Sequence, residues 1–331
     1  MKQRQTTPSV HTLKAGLAGL AGLLLAVCAA ACTALGGKGE EKMLGPEEIR
    51  VAESRQIDTT SLPRMATPGG ATLVATPDSV ADALLLDELS AQAWILVADS
   101  SGLLLSEKQA GQRMFPASLT KMMTSMLALE TGRLTDSVRI TEDVFLAKDS
   151  RVRLGDAYLL GNMIREMMLQ SDNDAAYALA KHLGGDIPSF CQLMNEKAAY
   201  LGMDSTHFDN PNGMPSDSTY SSARDLLVLT RYCMRDSSFS AIAGTAFSDI
   251  PLLDGRHLPC QNTNLLLESY DGCIGVKTGF TRRAGYCLAS AARRNGQTLF
   301  LVLLGSKSHT SRFTESAALL DYGFRVLGVA Q

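Results

Sequence analysis

The sequence predicts a mixed α/β (α+β) domain whose antiparallel sheet takes strands from both ends of the domain, with a helical region inserted between them. Three observations carry this. Two apolar runs flank a turn signal near residues 93–105. A stretch from about 159 to 235 repeats with helical period. Three more apolar runs of strand length then precede a last helix.

Before the domain, Lys2, Arg4 and Lys14 form a basic start, and residues 15–37 carry no charge around the run GLAGLAGLLLAV. This is an export-signal pattern covering residues 1–37, and it places the body outside the cytoplasm. Ala29-Ala30-Ala31-Cys32 has the form of a lipobox, which makes Cys32 a lipidation candidate and the tether to the membrane. Ordinary cleavage beside small residues is a second reading. An uncleaved anchor is a third, because a span needs about 20 apolar residues. Residues 38–90, which follow Gly36-Gly37, are broken by Pro46, Pro63, Pro68-Gly69-Gly70 and Pro77 and read as a flexible spacer. The domain is expected over 91–331.

Within it, Ala93 to Ala98 is a strand, Asp99-Ser100-Ser101-Gly102 a turn and Leu103-Leu104-Leu105 the return strand. Pro116-Ala117-Ser118 leads into a helix ending at Gly132, so Ser118 lies at or near a helix start. Helices are expected over 159–169, 174–183, 187–201 and 223–235, with an irregular segment from His207 to Ser218. Strands are expected over 275–278, 286–292 and 298–304, the last two joined by the tight turn Asn295-Gly296, with a closing helix over 314–327. The Met pairs 122–123 and 167–168 read as core filler. Arg282, Arg283, Arg293 and Arg294 read as strand-end charges in water.

Composition limits the function classes. The chain has 331 residues, 45% of them hydrophobic, and a formal net charge of −3. That is enough apolar material for a full core, and the charge balance gives no reason to expect nucleic acid as a partner. Five cysteines lie beyond the signal: Cys191, Cys233, Cys260, Cys273 and Cys287. Their odd number and irregular spacing do not make a disulfide framework, although Cys260 and Cys273 flank one loop and could pair. Neither cysteines nor histidines show metal-site spacing, and a phosphate-binding glycine loop after a strand is missing, so no metal and no cofactor are expected.

Three short motifs occur in order and once each: Ser118-Leu119-Thr120-Lys121, Ser171-Asp172-Asn173 and Lys277-Thr278-Gly279. Each alone is weak; their order and context make the set specific. A serine hydroxyl needs a base beside it. Three residues is just under one helical turn, so Ser118 and Lys121 share a face. Lysine is a base only when neutral, which requires desolvation or a nearby positive charge, and a buried helix start near Lys277 could supply both. A helix start leaves free N–H groups suited to an oxyanion, and Phe280 after Gly279 offers another on an edge strand along which a peptide could lie. The plainer readings are that Ser118 is only a helix cap, that Ser171 and Asn173 cap the helix at Asp174, and that Lys121 and Lys277 are solvated.

These motifs, together with PASLTKMMT, SDNDAAYALA, NPNG, YSSARDL, GVKTGFTRRAGYCL and LLDYGFRVLG, resemble the low-molecular-weight penicillin-binding proteins, the serine-type D-alanyl-D-alanine carboxypeptidases, over about residues 91–328. The resemblance implies the DD-peptidase/β-lactamase-like fold. It also implies the substrate, peptidoglycan stem peptides ending in D-Ala-D-Ala, with β-lactams as inhibitors that leave a slow acyl-enzyme. The implied roles are Ser118 as nucleophile, Lys121 as proton acceptor and Ser171 as proton shuttle. Asn173, Lys277, Thr278, Gly279 and Arg312 are implied in substrate binding, and the N–H groups of Ser118 and Phe280 in the oxyanion hole. Two departures stand out. Asp172 occupies a position where glycine is frequent, and the chain stops at Gln331, where the family usually continues into an all-β domain. A class A β-lactamase is the nearest rival, but the stretch from Tyr200 to Ser218 has no glutamate for deacylation. An endopeptidase of peptidoglycan cross-links would use the same motifs. A non-catalytic wall-binding or β-lactam-sensing protein would keep the scaffold, but the intact Ser118, Lys121, Ser171, Asn173 and Lys277 argue against it.

Overall fold

A computed structural model describes residues 86–146 and 150–329. The expected export signal with Cys32, and most of the spacer, lie outside the described residues. Strands β1 (Ala93–Ala98) and β2 (Leu104–Lys108) form the first hairpin. A 3-10 turn (Ala117–Thr120) runs into α1 (Lys121–Glu130). After β3 (Ser137–Arg139) and β4 (Ala157–Leu159) come α2 (Leu160–Gln170), α3 (Asn173–Gly184), α4 (Ile187–Tyr200), α5 (Ala223–Arg235) and α6 (Ser237–Ala243). Then follow β5 (Phe247–Pro251), β6 (His257–Gln261) and α7 (Leu266–Ser269), the strands β7 (Cys273–Thr281), β8 (Gly285–Arg294) and β9 (Gln297–Ser306), and the closing helix α8 (His309–Val326).

The main sheet is antiparallel in the order β2-β1-β9-β8-β7, so the first and last thirds of the domain meet where β1 pairs with β9, Ile95 opposite Val302. Strand alternation divides the core into two layers. Trp94, Leu96, Leu299, Leu301 and Leu303 face one layer with Leu319, Leu320 and Phe324 of α8. Ile95, Val97, Val302 and Leu304 face the other, with Met122, Met123, Met167 and Met168 of the helical region. Burial on both faces is why β9 reads as an almost unbroken apolar run. Each fully buried leucine contributes about 1.5–3 kcal/mol relative to exposure. Packing reaches back to Leu86 and Leu89, just ahead of β1.

The expected elements are present with ends moved by a few residues, and Asn295 (φ 46°) and Gly296 (φ 77°) make the positive-φ turn between β8 and β9. The ribbons β3–β4 and β5–β6 were not anticipated. Their strands are 3 to 5 residues long, too short to show a period, and all but β4 are largely exposed. Arg294 corrects the reading of strand-end charges in water: its guanidinium stacks on Tyr270 and Phe324 and bonds Asp321 at 3.1 Å. Cys260 and Cys273 do not pair; both are free, with Cys273 Sγ donating to the Gly275 carbonyl. Cys287 is a buried core residue, as expected.

Candidate active site

The site forms where the 3-10 turn, α1, the α2–α3 junction, the 208–219 loop and the edge strand β7 converge. Ser118 sits on the 3-10 turn, entered through Pro116 and through Ala117 in the left-handed region at φ 49°. Such a backbone costs a non-glycine residue about 1–3 kcal/mol and persists only where surrounding packing enforces it. Ala117 is wholly buried. A 3-10 turn has about three residues per turn, so Ser118 and Lys121 eclipse more closely than an α-helix would allow.

Lys121 is fully buried, and its Nζ meets three oxygens. It lies 3.0 Å from Ser118 Oγ and donates to Asn173 Oδ1 at 2.9 Å and to the Asn212 carbonyl at 3.0 Å. The two amide oxygens can only accept. A neutral amine has two N–H bonds and one lone pair, so with both N–H groups engaged the lone pair is left for the Ser118 hydroxyl. Burial pushes the Lys121 pKa down to about 7, against the fields of Asp172 and Glu166, which favour the charged form. Burial also drives Lys277 well below the ordinary lysine range, with Lys121 and Arg312 pushing the same way. Both lysines are depressed, and desolvation is the main cause in each; a positive charge on Lys277 is not what lowers Lys121.

The S-D-N segment divides its labour. Ser171 is the left-handed C-cap of α2 at φ 62° and is half-buried. Asp172, not Ser171 or Asn173, is the N-cap of α3: its Oδ1 accepts from the N–H groups of Asp174 (2.9 Å) and Ala175 (3.0 Å). Its Oδ2 accepts from Ser150 Oγ (2.6 Å) and from the Arg151 N–H (2.8 Å). With both oxygens committed to the fold, Asp172 leaves Asn173 free to turn toward Lys121. The departure from glycine at this position thus has a local structural use.

Strand β7 is the edge of the main sheet beside the nucleophile turn. Gly279 lets it approach: a Cβ there would stand 3.0 Å from Ser118 N and 3.1 Å from Ala117 Cβ. Lys277 and Thr278 are buried just before it, whereas Phe280 is half-exposed and stacks on Tyr286 at 4.3 Å. Arg312, from the first turn of α8, donates through Nη1 to the Gly279 carbonyl at 3.3 Å and lies against the Tyr286 and Phe313 rings. It is 5% exposed, burial lowers its pKa to about 10, and its Nε has no hydrogen-bond partner among the described residues. A buried guanidinium with a spare donor suits an incoming carboxylate.

The structure therefore brings Ser118, Lys121 and Asn173 into direct contact, sets Gly279 against Ser118, and joins Arg312 to the same strand. Three further residues escaped sequence reasoning. The Asn212 carbonyl is a backbone acceptor, visible only as part of the turn-rich NPNG. Thr263 bonds Thr278 Oγ1 at 2.6 Å from the loop after β6. Glu166 is wholly buried on α2 with neither carboxyl oxygen partnered among the described residues, and burial holds its pKa well above the carboxylate range. Among the described residues no cluster of His, Cys, Asp and Glu could hold a metal ion, and no helix is long and apolar enough to cross a membrane.

The antiparallel sheet and the inserted helices are those of the DD-peptidases of the penicillin-binding fold. The chain belongs to the D-alanyl-D-alanine carboxypeptidase family, whose sequence model matches residues 78–308. It is 32% identical to a D-alanyl-D-alanine carboxypeptidase of Streptomyces sp. K15, over 82% of this chain and 98% of the relative. It is 34% identical to the carboxypeptidase DacA of Escherichia coli K12, over 72% of this chain. With DacF of Bacillus subtilis it shares 31% identity over 71% of this chain. The chain spans 62% of the length of the latter two relatives. The crystal structure of the Streptomyces K15 DD-transpeptidase superposes with a TM-score of 0.68 at 32% identity, covering 72% of this chain and 98% of that one.

Proposed function

We propose that the protein is a serine-type D-Ala-D-Ala carboxypeptidase that removes the terminal D-alanine of peptidoglycan stem peptides through an acyl-enzyme on Ser118. The observation that carries this is the Lys121 amine, whose two N–H groups are engaged by Asn173 Oδ1 and the Asn212 carbonyl while Ser118 Oγ stands 3.0 Å away. Lys121 takes the Ser118 proton as Oγ attacks the carbonyl between the two D-alanines. The N–H groups of Ser118 and Phe280 receive the oxyanion. The close approach that Gly279 permits between β7 and the nucleophile turn supports that pairing. Ser171 passes a proton to the leaving amine, Asn173 holds the substrate amide, and Lys277 tunes the field. Thr278 and Arg312 hold the terminal carboxylate. The substrate lies along the edge of β7, and water then frees Ser118.

β-Lactams acylate the same serine and act as inhibitors. Neither cofactor nor nucleic acid enters the reaction. We further propose that residues 1–37 export the chain, that Cys32 is lipidated and tethers it outside the membrane, and that the residues between 38 and the start of the packed domain at Leu86 space that domain from the anchor. The Streptomyces K15 protein is named both a carboxypeptidase and a DD-transpeptidase, so an amine acceptor is the second reading for the step that frees the acyl-enzyme. Mass analysis of products from a D-Ala-D-Ala pentapeptide, with and without an added amino-acid acceptor, and from cross-linked dimers separates the readings. Free D-alanine and tetrapeptide are expected. Cleavage of the dimers alone would replace the carboxypeptidase with an endopeptidase, and no product from either would overturn catalysis.

A further inference from the structure

Behind Lys121 the chain makes a closed loop. The backbones of His207 and Tyr220 bridge its base at 2.9 and 3.1 Å, and Asn195 of α4 clamps Phe208 through both its Nδ2 and Oδ1. Inside the loop, one carboxylate collects the side chains around it. Asp209 Oδ1 accepts from Asn210 Nδ2 (2.8 Å) and from Thr219 Oγ1; its Oδ2 accepts from Ser218 Oγ (2.6 Å) and from Ser216 Oγ. The Asp209 N–H donates back to Thr219 Oγ1 at 3.3 Å. Thus residues 216–219 are drawn against Asp209 by three hydroxyl donors, and Asn210 Nδ2 is a fourth donor to the same carboxylate.

That stitching reaches the reacting atoms through a short path. Asn210, held by Asp209, accepts the Gly213 N–H at 2.7 Å and donates to the Met214 carbonyl at 2.9 Å. Thr124 of α1 fixes the Pro211 carbonyl at 2.7 Å. Gly213, at φ 82°, is pressed so closely on the nucleophile turn that a Cβ would fall 1.8 Å from the Ala117 oxygen. Between them the Asn212 carbonyl accepts from Lys121 Nζ at 3.0 Å, and Asn212 is 1% exposed.

We infer that Asp209 is a positioning residue for acylation: it holds the 210–213 turn so that the Asn212 carbonyl stays the fixed acceptor of one Lys121 N–H and water is kept from the amine. This rests on the serine–lysine reading above. Asp209 acts through the loop rather than through its charge. The ionisable groups that act on Lys121 are Glu166 of α2 and Asp172 before α3, while Lys277 of β7 and, beyond it, Arg312 of α8 complete the cluster. Around Asp209 itself the donors are hydroxyls and an amide, with His207 engaged by the Ser218 carbonyl and Asp217 by Arg283.

The test is the rate of penicillin acylation across pH in the full chain, for wild type, Asp209→Ala, Asp209→Asn, the double variant Ser216→Ala/Ser218→Ala, and Ser118→Ala as control. Asp209→Ala is expected to acylate roughly tenfold more slowly, the rate equivalent of one hydrogen bond. Its acidic limb should move to higher pH as water reaches Lys121, with full labelling at long times. Asp209→Asn keeps an acceptor, and the hydroxyls can turn to accept from its amide, so it should retain most of the rate; a charge role would make it resemble alanine. The double serine variant should fall between wild type and alanine, and it decides the matter if Asp209→Ala fails to fold. Wild-type rates and pH profile in folded Asp209→Ala, or in the double variant, overturn the inference. So does a lower labelled fraction with unchanged rate and profile, which marks a purely structural role. Failure of wild type to label, or labelling of Ser118→Ala, sinks the serine–lysine reading itself and this inference with it.

Discussion

Acylation of Ser118 is expected to follow the deprotonation of Lys121. An ordinary lysine has a pKa of 10.5, and burial lowers that of Lys121 to about 7. At pH 7 an ordinary lysine is neutral in about 0.03% of molecules, and Lys121 in about half, a gain on the order of a thousandfold in available base. The same difference corresponds to about 5 kcal/mol between the two protonation states. The sign is set by desolvation: the neutral form dominates above the lowered pKa. The rate constant for penicillin acylation should therefore rise about tenfold per pH unit below 7 and level off above it. Lys121→Arg replaces the amine with a guanidinium that stays protonated, and it should lose acylation by a comparable thousandfold at about pH 7 and above. A stopped-flow or gel assay with a fluorescent penicillin reads both. A flat profile from about pH 5.5 to about pH 8.5, or a Lys121→Arg variant within tenfold of wild type, would refute the assignment of Lys121 as base.

Other perturbations follow from the same geometry. Glu166→Gln removes a carboxylate whose field favours the charged form of Lys121, so the acidic limb should move to lower pH; an unmoved limb would show that burial keeps Glu166 neutral in the native protein. Gly279→Ala puts a methyl 3.0 Å from Ser118 N. It should slow acylation by about two orders of magnitude and lower thermal stability, because the position is buried and the added methyl crowds the nucleophile turn; unchanged acylation in the folded variant would remove the oxyanion reading. Arg312→Ala should impair D-alanine release from a free-carboxylate pentapeptide far more than turnover of an amide-capped one, and equal loss would show that Arg312 does not bind the carboxylate. Cys32→Ser should release the exported protein from membranes; unchanged retention on fractionation would dismiss the lipid tether.

Much of the fold was legible because its signals are local and strong. The helix over Ala223–Arg235 is bounded by Ser222 as N-cap and carries one apolar face, and the β8–β9 turn announces itself in Asn295-Gly296. The short ribbons β3–β4 and β5–β6 were invisible because their pairing is tertiary and their strands of 3 to 5 residues are too short to show a period. Ser118, Lys121 and Asn173 were legible as motifs whose side chains do the chemistry. The Asn212 carbonyl was not, since any residue type supplies a backbone oxygen and only the path of the loop aims it at Lys121. The balance of causes behind the Lys121 shift was only half legible: the sequence offered burial and the charge of Lys277 together, but that burial dominates in both lysines is a property of packing. Arg294 was misread for a related reason: its partners Tyr270, Asp321 and Phe324 lie far along the chain and meet it only in the fold.

The most direct measurement of the central claim is intact-protein and peptide mass spectrometry after incubation with benzylpenicillin, run in parallel with D-alanine release from a D-Ala-D-Ala pentapeptide. A single penicilloyl adduct confined to the peptide containing Ser118, together with D-alanine release that Ser118→Ala abolishes, is the predicted result. An adduct on another residue, or D-alanine release that persists in Ser118→Ala, would contradict the account.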